Sequence, residues 1–293
     1  MFVVDERLPP SFDPVFYRKD KPFLRSSSEA QEHFLNIGKS RGIKGSPGCD
    51  QGVLLAAIRS LRPEKMIEIG PGCAPKLRGE NVRYFDVKSK AELQSRYKDD
   101  PGLFQIPQEI HYVNKAGSLK DIAEKFDIAF SSHVIEHAAD LVCHLNEVEA
   151  LLDKNGLYVL VVPNKQFTFD YFKPVSIVED VVARHFEPIK TVPLRSILLE
   201  ANRRTHNEPE RHWENDHGSV CFNKHEMLKA IAMFGKTVQD SVAASGYHNW
   251  IFTDDSFVEI VQSLYEMNLI SLKVKRAYNT PYGTMSFSVV LGR

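Results

Sequence analysis

Short apolar runs alternate with helix-length amphipathic stretches through most of this chain, in the manner of a parallel sheet with connecting helices. Residues 66–69, Met-Ile-Glu-Ile, are short and β-prone, as a strand buried on both faces would be. Residues 82–86, 126–130 and 157–162 repeat that signal. Asp50 caps a predicted helix with Val53, Leu54, Ala57, Ile58 and Leu61 as its apolar positions, ended by Pro63. Asp140 starts another, with Leu141, Leu145, Val148 and Leu152 on one face and Gly156 beyond its end. The alternation breaks from Pro163 to about Thr253, where Arg, His, Pro and aromatic residues crowd together and only one clear helix, 224–234, stands out, with Asn223 and Glu226 as its cap. It resumes with a helix at 255–267, a strand at 269–278 and a last strand at 285–291. The break reads as an insertion, 163–253, over the carboxyl ends of the strands, where open α/β sheets bind ligands.

The first strand runs into Gly70-Pro71-Gly72, where missing side chains let the backbone turn sharply and a flat ligand lie against it. The second strand ends at Asp86, placing a carboxylate where it can accept hydrogen bonds from the two hydroxyls of a ribose. The third opens into Ser131-Ser-His-Val-Ile-Glu-His137. Pro75 and Gly79 leave no room for a helix between Gly72 and Val82, and a dinucleotide fold needs one there, its N-terminus facing a pyrophosphate.

Glu68-Ile-Gly-Pro-Gly72, the downstream Asp86, Asp127 to His137, and the helix–glycine–strand of 147–163 together resemble class I S-adenosylmethionine-dependent methyltransferases. The resemblance covers residues 50–165 well and the last forty weakly. It implies a Rossmann-like seven-stranded α/β sheet, mostly parallel with an antiparallel last strand, carrying an inserted lid. It also implies S-adenosylmethionine as cofactor, held by Glu68, Gly70, Pro71, Gly72, Asp86, Ser132 and His133. Cys73-Ala-Pro75 stands where that family usually has a third glycine. Pro163-Asn-Lys-Gln-Phe-Thr-Phe-Asp170 is similar to a segment in a subgroup from polysaccharide gene clusters, with Asn164 in place of an acid. The expected acceptor is therefore a small hydroxylated molecule, a sugar or nucleotide-linked glycan, methylated on oxygen.

With 293 residues, one domain of residues 49–293 is expected behind a small helical element of residues 1–48. Within that element a capped helix is expected from Ser28 to Gly38, and the piece is similar to a short module found beside bacterial glycosyltransferases. Lys and Arg total 37 against 38 Asp and Glu, a net charge of −1, which gives no reason to expect nucleic acid or a membrane surface. The four scattered cysteines, with no CxxC pair, fit reduced thiols in a cytoplasm, and neither a signal peptide nor a membrane span is expected.

Two motifs bear on the chemistry. His133-Val-Ile-Glu-His137 matches the H-x-x-E-H pattern of inverzincin metallopeptidases, which would make the chain a zinc peptidase if the segment were helical. It also suits the loop with which some methyltransferases hold a divalent ion, so magnesium is an optional ion, not an essential one, and no residue is assigned to a resident metal. Arg211-His-Trp-Glu-Asn-Asp-His217 concentrates imidazoles, an indole and acids. There His217 or His212 is the expected base for the acceptor hydroxyl, oriented by Asp216, with Trp213 to stack on a sugar and His137 as the alternative base. A non-catalytic nucleoside-binding subunit is the remaining alternative.

Overall fold

The computed structural model describes residues 12, 14–41, 48–100, 105–187, 193–237 and 246–293; the rest of the expected 1–48 element lies outside them. Seven strands form one sheet: β1 (Met66–Ile69), β2 (Val82–Asp86), β3 (Tyr112–Val113), β4 (Phe126–Ser132), β5 (Leu152–Pro163), β6 (Lys273–Tyr278) and β7 (Ser286–Gly292), in the order 3-2-1-4-5-7-6. Pairs β3–β2, β2–β1, β1–β4 and β4–β5 are parallel; β7 runs antiparallel to both β5 and β6. This is the Rossmann-like α/β sheet with a reversed last strand that the sequence predicts. Among the described residues no helix is long and apolar enough to cross a membrane.

Period-two alternation sends the two faces of each central strand into separate cores. Ile67, Ile69, Tyr158, Leu160, Val162, Phe287 and Val289 enter the larger core, under helices α5 (Leu141–Leu151), α6 (Val178–Phe186) and α10 (Asp254–Glu266). Met66, Ile128, Phe130, Val159 and Val161 enter the smaller one, under α3 (Gln51–Ser60). On α3 only Leu54 and Ile58 are buried, whereas Val53 and Leu61 are exposed, so its apolar stripe is narrower than its sequence suggests. At the N-terminus, α1 (Pro14–Arg18) and α2 (Ser27–His33) pack on a small core of their own, with Tyr17, Leu24, Ala30 and Phe34 buried. The cap of α2 is Ser26, not Ser28: its hydroxyl accepts from the Glu29 N–H while Glu29 returns the bond, and the chain continues as a wider turn to Gly38.

Residues 70–81 carry β1 into β2 with no helix, as Pro75 and Gly79 dictate. The buried Glu68 carboxylate holds this loop to the sheet. It accepts from the backbone N–H of Lys76 at 2.9 Å and of Leu77 at 2.8 Å. Tyr84, one strand over, donates its hydroxyl to the Leu77 carbonyl at 2.8 Å. Leu77 then fills the smaller core.

The insertion is more helical than the sequence suggests. Its described part contains α6, α7 (Leu194–Arg203), α8 (Pro209–Trp213) and α9 (Lys224–Thr237), where only the last is read from sequence. The signal for α7 is present in Leu194, Ile197, Leu198 and Ala201, an i, i+3, i+4, i+7 stripe. Ile197 is buried against Ala230 of α9. Asn223 caps α9 as expected, accepting from the His225 and Glu226 N–H groups, while the Glu226 side chain pairs with Lys229 instead of returning the bond.

Glu68→Ala would strand the buried Leu77 N–H and the half-buried Lys76 N–H and free the β1–β2 loop. A stability loss of about 1–3 kcal/mol is expected, read as a lower denaturant midpoint. An unchanged midpoint would remove the carboxylate from this role.

Candidate functional site

At the carboxyl ends of β1, β2 and β4 lies a cavity of about 280 Å³. Gly70 and Gly72 form one wall, both with left-handed backbone, at φ of 70° and 52°. Gly70 is also a close approach: a Cβ there would stand 2.6 Å from Val134 Cγ2. Asp86 closes the end of β2. Its Oδ2 accepts from the Gly72 N–H at 3.2 Å and its Oδ1 from the Lys88 N–H at 2.9 Å. A carboxylate has about four acceptor positions, so each oxygen keeps capacity for a ligand hydroxyl. Burial raises the Asp86 pKa above the usual carboxylate value, opposed by those N–H bonds. The far end of the cavity is lined by Leu93 and Tyr97 around the end of α4 (Lys90–Arg96), and by Gly117 and Ser118. None of these four is predicted as a site residue, although Ser89 and Glu92, which form a capping box at the start of α4, carry an S-x-x-E signal for it.

Of the expected cofactor residues, Gly70, Gly72, Asp86 and His133 line the cavity. Glu68, Pro71 and Ser132 do not. Glu68 is turned to the β1–β2 loop, where burial pushes its pKa up to about 7 against the pull of the backbone bonds, and Ser132 accepts from Gln51 Nε2 at 3.3 Å.

The polar loop after β4 forms the opposite wall. His133 holds a left-handed φ of 56° and sits beside Val134 in the cavity lining. Its Nε2 lies 2.7 Å from the Ser286 hydroxyl. Only Ile135–His137 is helical, as one 3₁₀ turn. The H-x-x-E-H pattern therefore does not present two histidines on one α-helical face, as a peptidase motif would.

Behind the wall is a cluster whose members come from three parts of the chain. Glu136 is fully buried, and neither carboxylate oxygen has a hydrogen-bond partner among the described residues. Its Oε1 faces His137 Nε2 at 3.8 Å, His248 Nε2 at 3.9 Å and His133 Nδ1 at 4.0 Å. Burial pushes the Glu136 pKa up to about 7 and that of His137 down to about 4. His137 Nδ1 lies 2.9 Å from the Tyr247 carbonyl, which can only accept, so Nδ1 carries the proton. His248 Nδ1 donates to Asp170 Oδ2 at 2.5 Å, and Asp170 Oδ1 lies 2.6 Å from Lys173 Nζ. Burial lowers the His248 pKa, but Asp170 and the neighbouring Glu136 charge outweigh it and raise the pKa. Neither His248 nor Asp170 is predicted as a site residue; H-x-x-E-H marks only one side of the cluster.

The 211–217 loop is placed elsewhere. His212, Asp216 and His217 do not line the cavity, whereas His137 does. Asp216 does not orient His217: its carboxylate binds Arg211 at 2.8 Å and the Gly218 N–H at 3.1 Å. His212 is buried, giving Nε2–H to the His206 carbonyl at 3.2 Å, with its Nδ1 lying 3.1 Å from His217 Nδ1. His217 stacks on Tyr171 at 3.8 Å, and Trp213 stacks on Phe167 at 4.0 Å while donating to the Thr284 carbonyl. Ring stacking and hydrogen bonds fix this loop to the rest of the insertion and to the turn before β7.

No protein-family model and no curated protein matches this chain. Among solved structures, the methyltransferase domain of bacterial CtHen1 is similar at 14% identity and a TM-score of 0.40, over 83% of this chain and 96% of that one. DhpI in complex with SAH is similar at 10% identity and a TM-score of 0.39, over 95% and 94%. A putative Zn-dependent alcohol dehydrogenase from Rhodobacter sphaeroides scores as high, with 12% identity and a TM-score of 0.40, over 79% and 85%. Likenesses of this size decide nothing about chemistry, which rests on the site itself.

Gly70→Ala is expected to destabilise the fold by about 1–2 kcal/mol from left-handed backbone alone, and by more through the contact with Val134. Thermal unfolding checks this; a variant as stable as the parent would mean that the turn does not require glycine.

Proposed function

We propose that this chain is an S-adenosylmethionine-dependent methyltransferase acting on the hydroxyl of a small molecule. The observation that carries the reading is Asp86, set at the carboxyl end of β2 and facing the cavity beside the glycine turn with acceptor capacity to spare. That is where the two hydroxyls of a ribose are held in open α/β sheets. The helix-free 70–81 loop supports adenosylmethionine over NAD, because a pyrophosphate would need a helix N-terminus directly after the turn. The long lining from Gly72 past Leu93 to Ser118 suits a nucleoside.

Methyl transfer asks little of a protein beyond alignment and removal of one proton. Bound S-adenosylmethionine would supply an activated methyl group with a neutral thioether as its leaving group; the chain's part would be to hold the acceptor oxygen in line with it and to take up the hydroxyl proton at a base. In this reading the cofactor fills the space between Gly70–Gly72 and Asp86, and the acceptor meets the wall of His133 and His137. His212, Asp216 and His217 hold the insertion that covers the acceptor. A sugar or nucleotide-linked glycan is the acceptor we place first, on the likeness of residues 163–170 to the polysaccharide-associated subgroup. Asp170 of that segment supports the wall from behind by fixing His248.

S-adenosylhomocysteine is expected to bind the purified chain and raise its melting temperature, as a ligand of the native state must. Asp86→Ala should weaken that binding by about 1–3 kcal/mol, measured calorimetrically. Binding of NAD without binding of S-adenosylmethionine or S-adenosylhomocysteine would sink the proposal. Cofactor binding with no labelled methyl transferred across a panel of sugars would favour a non-catalytic subunit.

A further inference from the structure

A buried carboxylate without a hydrogen bond is costly unless something else compensates its charge. Among the described residues no lysine or arginine pairs with Glu136. Lys173 Nζ lies 2.6 Å from both Asp170 and Glu200, and Arg204 pairs with Glu200. Two cations thus serve two carboxylates, and Glu136 is left facing imidazoles. Those imidazoles are not hydrogen-bonded to it. A protonated His248 paired with Glu136 would close to about 2.7–2.9 Å, whereas Nε2 stands at 3.9 Å.

The spacing suits something between the groups. Ligands bound at about 2.1 Å and a tetrahedral angle lie about 3.4 Å apart, and small side-chain rotations would bring 3.8 and 3.9 Å to that value. The tautomers suit it too. His137 gives its Nδ1–H to the Tyr247 carbonyl and His248 its Nδ1–H to Asp170, so in the neutral rings both Nε2 lone pairs remain for a cation. A carboxylate or carbonyl behind each imidazole is the support that metal-binding histidines have. The ligand atoms of Glu136, His137 and His248 all lie within 4.8 Å of one another. A second group at that spacing, Asp140, Cys143 and His185, differs in this respect. There Asp140 accepts from the Cys143 N–H at 3.0 Å and from His185 Nδ1 at 2.9 Å, so its carboxylate is already satisfied.

We propose that Glu136, His137 and His248 hold one divalent first-row transition metal ion at the edge of the cofactor cavity, with Asp170 and the Tyr247 carbonyl orienting the two imidazoles. The donor set of two nitrogens and one carboxylate fits Mn²⁺, Co²⁺ or Zn²⁺ better than Mg²⁺, which demands oxygen ligands. The sequence reading named magnesium as an optional ion; this donor set favours a transition metal in its place. His137 belongs both to the ion's ligand set and to the cavity wall. On the methyltransferase reading, the ion's open positions serve the acceptor hydroxyl, where a Lewis acid makes the proton easier to lose.

The test is metal binding by chelator-stripped protein, read by Co²⁺ d–d absorption and by elemental analysis after dialysis against Co²⁺, Mn²⁺, Zn²⁺ or Mg²⁺ alone. The wild-type chain is expected to bind one Co²⁺, displaced by Zn²⁺ or Mn²⁺ more readily than by Mg²⁺. Glu136→Gln should abolish this binding, and Asp170→Asn should weaken it by about 10–100-fold, both with circular dichroism unchanged. If Glu136→Gln does not fold, His137→Gln, on the accessible side of the cluster, takes its place. A wild-type chain that binds none of the ions, or variants that bind Co²⁺ as tightly as wild type, would overturn the site. S-adenosylhomocysteine titrated into the same metal-free samples separates the two proposals. Its failure to bind with Co²⁺ binding intact would end the methyltransferase reading alone.

Discussion

The Glu136 carbonyl accepts two backbone N–H groups, from Asn249 at 2.8 Å and Trp250 at 3.1 Å, and on that junction the functional end of the molecule depends. Side chains reinforce it: Asn249 Nδ2 donates to the His137 carbonyl and Trp250 Nε1 to the Ala138 carbonyl, while His137 Nδ1 donates to the carbonyl of Tyr247. Trp250 is itself a fully buried member of the larger core. Burial of a large indole thus supplies the free energy, and the hydrogen bonds supply the register. The consequence is positional. The loop after β4 is held as a cavity wall, and His248, two residues before Trp250, is delivered against Glu136.

That junction explains how the insertion takes part although, of its described residues, only Gly246 lines the cofactor cavity. Asp170, Lys173, Glu200 and Arg204 all lie in the inserted region and form one chain of ion pairs, with Phe169 under the Arg204 guanidinium at 4.3 Å. Surface pairs of this kind contribute little, but Lys173 and Asp170 are buried, where removing one partner is costly. The chain ends on His248 through Asp170. The ion-pair chain of the insertion therefore reaches the site through the His248 imidazole, beside the backbone contacts of Tyr247, Asn249 and Trp250.

How much of this was legible in the sequence depended on whether the signal was local. The strands could be read because Ile67 and Ile69, or Tyr158, Leu160 and Val162, alternate around neighbours that face the opposite core. The missing crossover helix could be read because Pro75 and Gly79 forbid it within the segment itself. Gly70, Gly72, Asp86 and His133 could be placed because strand ends bring them together. Glu68 could not be told from a ligand residue, since only the return of Lys76 and Leu77 shows what its carboxylate binds. His248 carries no local motif and joins Glu136 only through tertiary pairing. The 211–217 cluster attracted attention by composition, yet its rings stack on Tyr171 and Phe167, partners that each lie 46 residues earlier in the chain (217 − 171 and 213 − 167).

His133, like His137, belongs to both cavity and cluster. Its N–H donates to the Val161 carbonyl at 3.0 Å, ending the β4–β5 ladder, and its backbone then adopts φ of 56°. For a side chain other than glycine that conformation costs about 1–2 kcal/mol, which glycine at this position would not incur. The turn is what redirects the chain from the sheet, putting Val134 against Gly70 and Glu136 into the interior. The imidazole itself spans from Ser286 of β7 to within 4.0 Å of Glu136 Oε1. Backbone strain at one strand end, beside a buried carboxyl group without a hydrogen bond, costs stability, and the proposed ligand site is the reason we offer for it.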